Sequence, residues 1–284
     1  MNRTFKHFLT EARIQAPNTL RTQVMNVAAS ALFSLAYSQE GGMDEGMRAF
    51  MTQMKKKYGN FRVFKLSEGQ PLVVTLNFDP KELPERYTKG IRLQKTYPIK
   101  VRVGALGATD DQHMAEYNSM GRGQSGGITI NLSNLPEIDA IGSVEGMEAA
   151  LDNLEGSVAH EVQHATQDVV LRKRHASQFE LPKEGDTDDD YYASQVEFQP
   201  QITTAGNDFK RMLKQVRNAG VEVSGEAAQQ LFKVFVGASN TMPQGMLKWK
   251  SYFDSPFYKS LRQNDTDKWK KAVKELHRLL YPKL

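Results

Sequence analysis

Two histidines four apart with a glutamate between them, His160-Glu161-Val162-Gln163-His164, are the residues of this chain best suited to chemistry. Their neighbours Val158, Ala159 and Ala165 are uncharged and compatible with a helix. On a helix, residues four apart lie one turn apart on the same face. Two imidazoles placed so can grip one zinc ion, each nitrogen bonding at about 2.0–2.1 Å. Glu161 is next to the first histidine, and its carboxylate can take a proton from a water that the zinc has activated. Zinc lowers the pKa of such a water toward about 7, so the nucleophile exists at neutral pH. The plain alternative is a surface helix that happens to carry these three side chains. Of six histidines in the chain, His7 and His277 have no chemical neighbours in sequence, and His113 reads as a loop residue. Asp168 follows His164 by four residues and either orients an imidazole through a hydrogen bond or faces solvent.

The elements that must position these residues fall into three zones. Residues 1–60 read as helical. Phe5, Phe8 and Leu9 recur at helical spacing, and Leu20, Val24, Val27, Ala31 and Leu35 continue the pattern as a buried helix. A stripe of Met47, Phe50, Met51 and Met54 ends in three lysines and Gly59, which suits a helix terminus, and the methionines read as core. Residues 61–204 read as the catalytic core. It opens with four candidate strands, Phe61 to Leu66, Leu72 to Phe78, Ile99 to Val103 and Gly127 to Leu132, in a small mixed or antiparallel sheet. A long helix then runs from Ser143 through Leu151, Leu154, Val158 and Val162 toward Arg172, either whole or broken near Gly156. Residues 205–284 read as a helical, basic region, with helices expected over 206–218, 224–237 and 266–280. The three zones form separate domains or a single one. Helices, then sheet, then helices is an α+β order rather than alternating βαβ units.

Composition narrows the function classes. The chain has 284 residues, 39% hydrophobic and 25% charged, enough to bury a sizeable core. It has no cysteine, so disulfides and thiolate metal sites are excluded, and a metal must use His, Asp, Glu or backbone oxygen. No stretch reaches the roughly 18–20 apolar residues that cross a bilayer, so no membrane partner is expected. Met1 to Arg13 does not read as a secretory signal, and a cytoplasmic location is the expectation. The net charge is +4, and residues 205–284 hold fifteen Lys and Arg against seven Asp and Glu. Such a region can touch nucleic acid, but a solvated helical surface is the simpler reading, and no phosphate loop or zinc-finger pattern is present.

Around the motif the sequence resembles the zincin metallopeptidases, over roughly residues 98–200. The resemblance implies a zincin-like fold in which a sheet edge strand aligns an extended substrate before the active-site helix. Gly126 to Leu132, about thirty residues upstream of His160, looks like that strand. Ser157, where many zincins carry Val or Thr, and Thr166, where an apolar residue is usual, depart from the pattern without removing a ligand. The compact-motif subclass places its third ligand at a histidine six after the second, where this chain has Val170. The glutamate subclass takes a Glu from a later helix, and Glu197, within Tyr191 to Pro200, is the best match. Against it, Ser194 and Glu197 fit a capping box, and Pro200 limits a regular helix. His175, Glu180 and the Asp188, Asp189 and Asp190 cluster stay open as other ligands.

The oxyanion of a tetrahedral intermediate needs a donor besides zinc. Tyr192 or Tyr191 can supply a phenol, or both simply pack a loop. The expected function is a zinc-dependent metallopeptidase that cleaves a protein or peptide through zinc-activated water, with Glu161 as general base. The alternative is a catalytically inactive zincin-like structural or binding protein, such as a virion component. Phe5 to Ala12 resembles the opening of some tailed-bacteriophage proteins, which implies a phage-encoded peptidase in the host cytoplasm or the virion.

Overall fold

The computed structural model describes residues 16–39, 43–63, 69–83, 94–107, 114–118, 126–175 and 197–281. The chain divides into two compact units, Met1–Ser177 and Gln178–Leu284, each with its own apolar core. The architecture is mixed α+β.

In the first unit, α1 (Asn18–Ser38) and α2 (Glu45–Tyr58) precede four strands. Leu20, Val24, Ala28, Ala31 and Leu32 are fully buried along α1. Helix α2 starts where the Asp44 side chain accepts a hydrogen bond from the Met47 N–H at 2.7 Å, and it stops at Gly59, whose φ of 88° suits glycine. The methionine stripe is core, with Met47, Phe50 and Met54 buried and Met51 packed beside them.

The sheet holds β1 (Leu72–Phe78), β2 (Tyr97–Gly104), β3 (Ala115–Asn118) and β4 (Gly127–Asn131), in the order β1-β2-β4-β3. β1 runs antiparallel to β2, β2 parallel to β4, and β3 antiparallel to β4, so the sheet is mixed. Ile99, Val101 and Val103 alternate with exposed Lys100 and Arg102, the period-two pattern of a sheet with one covered face. Helix α1 packs on β1 and β2, and α3 (Val144–His175) packs on β3 and β4.

Two expectations need correction, and one left open is settled. Phe61 to Val63 form no strand; Phe61 is buried and stacks on Phe33 at 5.3 Å, so packing against helix α1 replaces a ladder. The rest of that expected strand lies outside the described residues. Gly127–Asn131 is not an edge strand, because β2 and β3 flank it; β1 and β3 are the edges among the described strands. Helix α3 passes Gly156 without a break, since Leu154 and Val158 are both buried against the core and hold the helix on either side of it.

The second unit is helical: α4 (Phe198–Asn218), α5 (Gly225–Phe235), a 3-10 segment Leu247–Phe253, α6 (Pro256–Asn264) and α7 (Thr266–Leu280). Phe209 is ringed by Phe232, Phe235 and Phe253 at centroid distances of 5.9, 5.3 and 5.9 Å. A Cβ added at Gly206 would lie 2.4 Å from Leu279, so this glycine lets α4 and α7 approach closely. Among the described residues no helix is long and apolar enough to cross a membrane.

Candidate metal centre

Helix α3 positions the motif through two stripes. Leu151, Leu154, Val158, Val162 and Ala165 are buried against the sheet. His160 lies about 200° around the helix from Val158 and Val162, so the burial that fixes the helix turns His160 and His164 away from the core stripe. Both rings are half-buried. Their Nε2 atoms face each other at 3.0 Å, with ring centroids 4.7 Å apart and the planes at 66°. Two nitrogens bonded tetrahedrally to one zinc ion stand about 3.3 Å apart. The observed pair is within a few tenths of an ångström of that spacing.

Glu161 is 8% exposed. Seven residues on, two helical turns, Asp168 shares its stripe. The Tyr117 hydroxyl of strand β3 donates to Asp168 Oδ2 at 2.6 Å, so the edge strand runs along the Glu161 side of the helix. Asp168 is therefore a half-buried anchor for β3 rather than a solvent-facing residue. Gly126 makes room for that tyrosine: a Cβ there would stand 1.9 Å from the Tyr117 hydroxyl oxygen.

Glu197 occupies the N-cap position of α4 and is 6% exposed. As N-cap its side chain makes no capping hydrogen bond, and Ser194, the other half of the expected capping box, lies outside the described residues. Pro200 stands third in that helix, within the first turn, where backbone N–H groups have no intrahelical partner and proline costs little. His160 and His164 stand on α3 of the first unit, and Glu197 stands at the start of α4 in the second. Two neutral imidazoles and one carboxylate are a donor set that zinc accepts.

Tyr191, Tyr192, Glu180, Asp188, Asp189, Asp190, His113 and His7 lie outside the described residues. Helix α3 extends to His175. His277 packs its ring on Phe232 and Tyr281 in the second unit. Sequence reasoning missed Tyr117, because nothing in Ala115–Asn118 marks a strand before its partner is known.

Comparison with protein families, with curated proteins and with solved structures finds no match for this chain.

Proposed function

We propose that this chain is a zinc-dependent metallopeptidase of the zincin type, with His160, His164 and Glu197 as metal ligands and Glu161 as general base. The observation that carries the reading is the pair of imidazole Nε2 atoms 3.0 Å apart on one helix face, with the buried Glu161 next in sequence to His160. A site meant only to hold structure has no use for a carboxylate beside its ligands, whereas hydrolysis needs a base.

Zinc bound there would lower the pKa of a water and polarise a carbonyl. The rest falls to the chain. Glu161 takes a proton from the attacking water and returns it to the departing amine, which suits a carboxylate shielded from bulk solvent. The main chain of β3, the edge strand packed on α3, would offer its outer N–H and C=O groups to an extended peptide. Tyr117 bonded to Asp168 keeps that strand alongside the helix. Tyr192 stays a proposed donor to the oxyanion.

Hydrolysis of a mixed peptide substrate tests the reading. Turnover should vanish on chelation, return with zinc, and be absent in Glu161→Gln. Zinc retained without turnover on any peptide would favour a binding or structural role instead.

A further inference from the structure

A second polar cavity lies on another part of the first unit. It has a volume of about 180 Å³. Its walls come from Asn18, Arg21 and Thr22 of α1, Lys57 and Tyr58 at the end of α2, and Glu155 of α3, with the buried Met25 behind them.

The charges in it are only partly matched. Glu155 Oε1 accepts from the Tyr58 hydroxyl at 2.7 Å and pairs with Lys57 Nζ at 2.7 Å. Its other oxygen, Oε2, stands 3.9 Å from the Arg21 guanidinium, near enough for attraction and too far for a hydrogen bond. Arg21 presents five donors in a planar fork that suits a carboxylate. Burial pushes the Glu155 carboxyl up, but hydrogen bonds from Lys57 and Tyr58 outweigh it and hold the group below its ordinary value. Burial, with Glu155 next, pushes the Tyr58 phenol well up, so it stays a donor.

The cavity thus offers one fixed carboxylate and two cations around a small space. A simple anion would meet Glu155, and a simple cation would meet Arg21 and Lys57. A molecule with both charges a few bonds apart satisfies both sides. Pockets for drug-sized ligands run to roughly 300–1,000 Å³, so the occupant here is smaller. We propose that this cavity binds a free α-amino acid with a small aliphatic side chain. Its ammonium donates to Glu155 Oε2, its carboxylate meets the Arg21 fork beside Thr22 and Asn18, and its side chain lies toward Met25. The inference does not rest on the metal reading.

Calorimetric titration of the full chain with alanine, acetate and methylammonium tests it. Saturable alanine binding, at least about tenfold tighter than either half-molecule, is expected. Arg21→Gln and Glu155→Gln should each weaken it at least about tenfold. Thr22→Val, which leaves the ion pairs alone, should weaken it several-fold, and His164→Ala should leave it unchanged. No saturable binding up to about 100 mM, acetate binding as tightly as alanine, or an unaltered isotherm in Arg21→Gln and Thr22→Val would each overturn the proposal.

Discussion

At the scale of single residues, the pairing of His160 with His164 was legible because a four-residue step on a helix fixes in advance that the two rings share a face. Glu161→Gln removes the base and leaves the ligands. It should keep the bound zinc while lowering kcat by about 10²–10⁴-fold, the range for lost general base catalysis, read by metal content beside peptide turnover. Glu197 was legible as a carboxylate at a plausible distance along the chain. Its burial was not, because that depends on where α4 begins. The Tyr117–Asp168 bond was hidden for a similar reason: it joins residues 51 apart and follows from strand pairing. A hydrogen bond to a charged group contributes about 1.5–3 kcal/mol. Tyr117→Phe should lower the stability of the first unit by an amount in that range, read by urea denaturation.

At the scale of elements, the helices were readable from their stripes and the sheet order was not. Leu151, Leu154, Val158 and Val162 recur at helical spacing, and all are buried on α3. Leu154→Ala should cost about 2–5 kcal/mol, because it leaves a cavity between helix and sheet. An unchanged urea midpoint would mean that α3 does not seat on this core. Strand order was out of reach because a period-two pattern names a strand and not its neighbours. Four residues of β3, half-buried in alternation, give almost no signal, so Gly127–Asn131 looked like the edge. Gly126 links this scale to the previous one. Gly126→Ala should push the Tyr117 ring off Asp168, and its cost should overlap that of Tyr117→Phe. A double variant that loses as much stability as the sum of the two single losses would be the wrong result; the two changes should be clearly less than additive.

At the scale of the whole molecule, the two units carry separate cores, and composition allowed either one domain or several. The first unit ties three helices together at Glu155, which should make its stability acid-sensitive. The folded-state carboxyl sits below its unfolded value, so its contribution is present above that value and is lost as pH falls through the lowered one. The stability gap between wild type and Glu155→Gln should therefore be full at pH 7 and should shrink in acid below about pH 4.3, by urea midpoints across that range. Zinc content of the purified full chain, measured by elemental analysis for wild type, His164→Ala and Glu197→Ala, bears most directly on the proposed centre. About one zinc per wild-type chain, lost or sharply reduced in both variants, is the predicted result. Loss in His164→Ala alone would move the third ligand away from Glu197, and no zinc in the wild type, even after it is added back, would contradict the metallopeptidase reading.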